Sequence, residues 1–212
     1  MPSIGAPKKI AVIGGGPAGL MAAQVAAGNG FDVCVYERKA SVGRKFLIAG
    51  RGGLNLSHAE PMPAFVQRYR NRTAADGSWL DGFDNAAVCA WSHELGIETF
   101  IGSSGRVFPK DMKAAPLLRA WIRRLRESGV EFQVNQQAIG FDAAGRLRML
   151  RADGETTIAA DAFILALGGA SWPQLRSALK VESGREILAA LLAPSTPQAE
   201  ALKSTDGWIE EA

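Results

Sequence analysis

The sequence predicts an α/β protein: a parallel sheet flanked by helices, plus a small antiparallel β-meander. Three observations carry this. An apolar strand at residues 9–13 runs straight into a glycine turn, a helix and a second apolar strand. Three short extended segments between residues 138 and 159 are separated by the turns Ala143-Ala144-Gly145 and Asp153-Gly154. A last apolar run, Ala162-Phe163-Ile164-Leu165-Ala166-Leu167, ends on the double glycine Gly168-Gly169, which permits close approach of another backbone or a ligand.

The first element is Lys9-Ile10-Ala11-Val12-Ile13, followed by Gly14-Gly15-Gly16-Pro17-Ala18-Gly19. Gly14, Gly16 and Gly19 fit G-x-G-x-x-G. The first glycine allows a tight turn, the second lets a pyrophosphate approach the backbone, and the third lets the helix pack on the sheet. The helix expected over residues 17–29 begins at Pro17 and Ala18, and its free N–H groups and positive dipole end suit phosphate. The next strand, residues 31–36, leads into Glu37. That carboxylate stands at the distance expected of a ribose-binding acid. Strand, glycine turn, helix, strand and terminal acid together read as a Rossmann-like nucleotide-binding unit.

Residues 38–58 are glycine-rich and basic, too irregular for one helix or strand throughout, with Phe46, Leu47 and Ile48 in need of burial. Helices are expected over 61–72, 85–95 and 115–128, with a loop at 73–82. Gly102-Ser103-Ser104-Gly105 reads as a turn between extended pieces. In the third helix Arg119, Arg123, Arg124 and Arg126 form a solvated face, while Leu117, Leu118, Trp121, Ile122 and Leu125 form the buried one. Pro116 reads as a first helical residue, and Gly129 as a stop. Residues 130–134 read as a strand of the parallel sheet.

Composition narrows the class. The chain has 212 residues, 47% of them hydrophobic, enough for one substantial core. A net charge of +3 does not argue for a nucleic-acid partner. Cys34 and Cys89 form neither a disulfide framework nor a C-x-x-C pair, and His58 and His93 have no neighbours at metal-ligand spacing. Residues 10–27 carry no charge, but their glycines and Pro17 fit a nucleotide turn better than a signal peptide or membrane span. The expectation is a soluble, cytoplasmic protein without membrane contact.

The order of elements resembles the two-dinucleotide-binding-domain flavoproteins. More specifically, it resembles the bacterial NAD(P)/FAD-dependent oxidoreductases known as HI0933-like or BaiN-like flavoproteins. The residues that carry the resemblance are 11–23, Glu37 with Gly43-Arg44-Lys45, the run Arg51-Gly52-Gly53-Leu54-Asn55-Leu56-Ser57-His58, then Gly105-Arg106-Val107-Phe108-Pro109, and Ala166-Leu167-Gly168-Gly169-Ala170-Ser171-Trp172. It covers about residues 8–175. The resemblance implies FAD across Gly14–Gly19, with Glu37 on the adenosine ribose and Arg38 beside the adenine. It implies Lys45, Gly52, Gly53 and Asn55 along the flavin side, backbone contacts near Gln137 and Ala138, and Gly168 and Gly169 near the pyrophosphate. It names no catalytic base: Lys45, Asn55 and His58 each have a structural alternative.

The domain expectation is a nucleotide-binding domain over 8–175 with a helical insertion at about 60–128, and a tail at 176–212. Family members continue into a further domain and return with a strand and helix that carry an acid for the ribityl chain. The tail does not match this and reads as a truncated, frame-shifted or split product, with weak FAD retention expected. Three readings stay open: the cofactor-binding part of an FAD-dependent oxidoreductase, with NAD(P) as electron donor; an NAD(P)-binding reductase without flavin; and a non-catalytic nucleotide-binding remnant.

Overall fold

The structure is a computed structural model that describes residues 7–49, 52–68, 80 and 82–168. In chain order its elements are β1 (Lys9–Ile13), α1 (Pro17–Gly28), β2 (Asp32–Glu37), α2 (Arg44–Ala49), β3 (Ser57–His58), α3 (Met62–Gln67), α4 (Asn85–Glu94), β4 (Thr99–Ile101), β5 (Arg106–Pro109), α5 (Ala114–Glu127), β6 (Glu131–Val134), β7 (Gln137–Phe141), β8 (Leu147–Arg151), β9 (Gly154–Ile158) and β10 (Ala162–Leu165). They fall into two compact units. Gly43–Gly129 is one; the described residues up to Val42 and from Val130 to Gly168 form the other.

The unit containing the chain's first strand is built on a four-stranded sheet of order β10-β1-β2-β6. All its pairings are parallel, with Ile13 level with both Leu165 and Tyr36, and Tyr36 level with Gln133. β1 occupies an interior position because Ala11, Val12 and Ile13 are all buried, as a strand covered on both faces requires. α1 buries Gly19, Leu20, Ala23 and Ala26. A three-stranded antiparallel sheet, β7-β8-β9, supplies Leu147 and Met149 to the core that holds Ala11 and Ile13. Phe141 meets Phe163 edge to face at 5.3 Å. The expected parallel sheet and meander are therefore both present. A register shift between Ala138 and Gly140 is a bulge that the turn pattern does not announce.

The Gly43–Gly129 unit packs α4 and α5 with a second three-stranded antiparallel sheet, β3-β5-β4. Trp91 and Trp121 meet at 4.7 Å, nearly perpendicular. α5 buries Leu117, Leu118, Trp121 and Leu125 of the apolar stripe read from its periodicity, while Ile122, expected in the same stripe, is only half-buried.

Several expectations need correction. Residues 44–49 form a helix, α2, inside the stretch read as irregular. Leu47 and Ile48 are not buried: they are 38% and 57% exposed, because a six-residue helix with three consecutive apolar residues cannot turn all of them inward. α5 starts at Ala114, capped by Lys113, so Pro116 is its third residue rather than its first. Arg124 is not simply solvated; it donates to the carbonyl oxygen of Glu94 at 2.6 Å and to its carboxylate at 3.2 Å. The helix expected over 61–72 is described only as α3, and most of the 73–82 loop lies outside the described residues, as do Gly169 and the tail.

Candidate dinucleotide site

Each glycine of the β1–α1 turn meets a different environment. Gly14 has φ +111°, a conformation that side chains rarely adopt, and a Cβ there would collide with the carbonyl oxygen of Ala166. Its own N–H donates to the Tyr36 carbonyl at 2.8 Å, and the Ala166 N–H donates to the Ile13 carbonyl at 2.8 Å, so both walls of this contact are pinned. A Cβ at Gly19 would collide with the Gly14 carbonyl oxygen and stand 3.3 Å from the Ala166 Cβ. Gly19 is thus where α1 touches the strand ends. Gly16 differs from both: nothing lies within 4 Å of a Cβ placed there. It caps α1 in extended geometry, φ −81° and ψ 179°, with Pro17 at the first helical position and Ala18 next.

The first turn of α1 contains no acidic residue. Its positive dipole end and its free N–H groups therefore have no carboxylate of their own helix to neutralise them. The structure brings a carboxylate to the turn from elsewhere. Glu37, at the end of β2, accepts from the Gly15 N–H at 2.9 Å through Oε2 and from the Lys39 N–H at 2.9 Å through Oε1. Spacing alone points to Glu37 as a ribose ligand and misses this bracing role. It also passes over Gly15. A Cβ on Gly15 would collide with the Val42 side chain and stand 3.3 Å from Glu37 Oε2. The one signal for it in the sequence is the unbroken triplet Gly14-Gly15-Gly16.

Further along the same unit, the Glu37 carbonyl accepts from the Gln136 N–H at 2.9 Å, and the Lys39 carbonyl from the Asn135 N–H at 3.1 Å. These bonds tie the segment around Arg38 to the start of β7. Ala138 lies in β7 opposite Met149. Gly168 has φ +76° and is exposed, three residues past the end of β10. Gly14, Gly16, Pro17, Ala18, Gly19, Glu37, Arg38, Ala138 and Gly168 thus belong to one unit.

Lys45, Gly52, Gly53 and Asn55 belong to the Gly43–Gly129 unit. Lys45 is in α2. A Cβ on Gly53 would stand 2.6 Å from Met112 Cε, whereas Gly52 is open. The segment after them is held by Leu54 N–H to the Met112 carbonyl at 3.0 Å and by Leu56 N–H to the Val107 carbonyl at 2.8 Å. His58 is half-buried: Nε2 lies 3.0 Å from the Ser104 carbonyl oxygen, and Nδ1 lies 3.2 Å from the Glu60 N–H nitrogen.

The thiols are not poised nucleophiles. Burial pushes the Cys34 thiol up, and burial likewise raises the Cys89 thiol. Tyr36, two residues from Cys34 on β2, is raised as well, first by burial and then by its hydrogen bond with the Cys34 thiol. No group of three His, Cys, Asp or Glu residues among the described residues is placed to hold a metal. No described helix is long and apolar enough to cross a membrane.

The family model for the HI0933-like protein Rossmann domain matches residues 8–191. The chain belongs to this HI0933-like family. The match spans β1 with its glycine turn and also β10, strands far apart in sequence but adjacent in the sheet. An NADH oxidase from Thermoanaerobacter brockii is 38% identical over 69 residues, 32% of this chain and 9% of that protein. Among solved structures, the fold is similar to THI4 of Thermovibrio ammonificans, with TM-score 0.55 and 18% identity over 83% of this chain and 64% of that one. It is similar also to the 3-ketosteroid-Δ4-(5α)-dehydrogenase of Rhodococcus jostii RHA1, with TM-score 0.53 and 15% identity over 79% of this chain and 47% of that one. The HI0933-like chain thus spans less than two thirds of each of these proteins.

Proposed function

We propose that this HI0933-like chain holds the adenine-dinucleotide part of FAD in an oxidoreductase acting on a small molecule. The observation that carries the reading is the contrast within the turn. Gly14, Gly15 and Gly19 are filled in by the protein itself, while the space beside Gly16 is left open at a helix end that has no acid in its first turn. That cradle fits a pyrophosphate. Gly14, Gly16, Pro17, Ala18 and Gly19 form it. Glu37, already braced by two backbone N–H groups, keeps lone pairs for ribose hydroxyls. Arg38 and Ala138 take the adenine end, and Gly168 with Gly169 the pyrophosphate.

The family resemblance assigns Lys45, Gly52, Gly53 and Asn55 to the flavin side. When bound, the flavin supplies the hydride or electron transfer, and the protein supplies binding, orientation and electrostatics. The cytoplasm is the proposed location, and a small organic molecule the proposed substrate.

A second reading places NAD(P) rather than FAD on the same turn. It is favoured by the partial match to an NADH oxidase and by the glycine turn itself, which serves either nucleotide. Titrating the purified chain with FAD, NADH and NADPH separates the two. Saturable FAD binding that Gly16→Val removes supports the first reading. Binding of NADH or NADPH without FAD overturns it in favour of the second, and binding of none of the three defeats both.

A further inference from the structure

The Gly43–Gly129 unit contains a cleft of about 400 Å³ that, of the residues assigned to the dinucleotide, only Asn55 lines. The volume is that of a site for a small organic molecule. One part of its wall is apolar: Phe65 and Leu80, only 8% and 4% exposed, with Val88 from α4.

Three basic side chains line the cleft, and they differ in what remains free. His58 has both ring nitrogens engaged, on the Ser104 carbonyl and the Glu60 N–H. Arg68 is paired with the Glu60 carboxylate. The Arg106 side chain has neither a hydrogen bond nor an ion pair among the described residues. Arg106 stands directly across from His58 in the β3–β5 ladder, so the two side chains leave the sheet on the same face.

The backbone around this cation is fixed. Asn85 donates to the His58 carbonyl at 2.8 Å and to the Glu60 carbonyl at 2.9 Å, which ties the end of β3 to the start of α4. Asp84, also on the wall, caps α4 by accepting from the Ala87 N–H at 2.7 Å. Asp84 would repel a second negative charge on a ligand.

We propose that this cleft binds a small organic monocarboxylate with a ring-shaped apolar body. The carboxylate sits on the Arg106 guanidinium, whose planar fork matches it, and the ring lies against Phe65, Leu80 and Val88. The inference rests on the cleft and not on the flavin reading.

The test titrates the 212-residue chain with benzoate and with benzyl alcohol, the same ring without the charge, by ligand-observed NMR. Benzoate binds more tightly than benzyl alcohol. Arg106→Gln weakens benzoate about tenfold and leaves benzyl alcohol unchanged. Arg119→Gln, an exposed arginine of α5 that does not line the cleft, changes neither. Val88→Trp fills the cleft and removes both; circular dichroism establishes that the variants fold, and the arginine pair decides the matter if Val88→Trp does not. The proposal is overturned if benzoate does not bind, if Arg106→Gln leaves its affinity intact, or if Arg119→Gln weakens it equally. FAD titration of the same samples keeps the two readings apart. Benzoate binding without FAD binding removes the flavin reading alone, and FAD binding without benzoate binding removes the cleft alone.

Discussion

Gly16 and Gly19 are three residues apart in one motif, yet the structure predicts opposite consequences for replacing them. In Gly19→Ala the new Cβ runs into the carbonyl oxygen of Gly14. That oxygen cannot yield, because the Gly14 N–H is bonded to Tyr36, and Ala166 behind it is bonded to Ile13. Relief requires lifting α1 away from the sheet, where Leu20 and Ala23 are fully buried. Overpacking of this kind costs about 1–3 kcal/mol, and a backbone clash belongs at the upper end. Replacing glycine by alanine in a helix returns up to about 1 kcal/mol. The clash wins, with a net loss of about 2 kcal/mol. In a domain of this size that lowers the melting temperature by about 4–8 °C.

Gly16→Val has no neighbour to meet and an extended backbone that valine adopts readily. Stability without ligand falls by no more than about 1 kcal/mol, the cost of a poorer N-cap. The proposed pyrophosphate seat, however, is then occupied by the side chain, and FAD affinity collapses. Thermal melts without ligand and FAD titration by calorimetry measure the two quantities. If Gly16→Val lowers the melting temperature as much as Gly19→Ala does, Gly16 is a packing glycine and the reasoning fails. Undiminished FAD affinity in Gly16→Val refutes the pyrophosphate assignment directly.

Three further outcomes are expected. Glu37→Ala removes the carboxylate that accepts from Gly15 and Lys39, so it destabilises the ligand-free protein by about 1.5–3 kcal/mol in urea unfolding, which a residue that served only the ribose would not do. Leu117→Ala, at a side chain with no exposed surface, costs about 2–5 kcal/mol in the same assay. Asp142 accepts from the Arg146 N–H, from the Arg146 guanidinium and from the Ala144 N–H, which together hold its carboxyl below the usual carboxylate range. Its contribution is fully present above the ordinary carboxylate pKa of about 4 and is lost as the pH falls through the lowered value. The melting temperature of wild type therefore exceeds that of Asp142→Asn at neutral pH, and the gap closes as the pH falls below the ordinary carboxylate range.

The parallel sheet was legible because its information is local. Ala11, Val12 and Ile13 form one apolar run, and a run ending on glycine reads the same with or without neighbours. α2 was not legible. Gly43 before it and Gly50 after it signal loop, and Phe46-Leu47-Ile48 has neither helical nor strand periodicity. The bulge at Ala138 was hidden because one extra residue leaves the alternation on either side intact. In the candidate site, the glycine spacing picks out Gly14, Gly16 and Gly19, but not that Gly16 alone faces open space. That distinction depends on Ala166, which is 150 or so residues away in sequence. Gly15 and Val42 fit no spacing rule at all, since their relation is a steric one across a turn. Arg106 stands in the sequence as one member of a run, and only the fold shows that Arg68 is paired with Glu60 while the Arg106 side chain has no such partner among the described residues.

The first sheet closes late in the life of the chain. Lys9 reaches Asp161 across 152 residues of sequence, and β1 has no β10 to pair with until that stretch exists. At ribosomal rates of about 5–20 residues per second, the interval is about 8–30 s. Throughout it, one edge of the most buried strand in the sheet stands unpaired on the nascent chain, a template for pairing with a neighbour. Gly43–Gly129 is complete as a contiguous stretch well before then. Synthesis order therefore makes the intervening unit the first able to fold, and leaves the nucleotide-type sheet the part with most need of a chaperone.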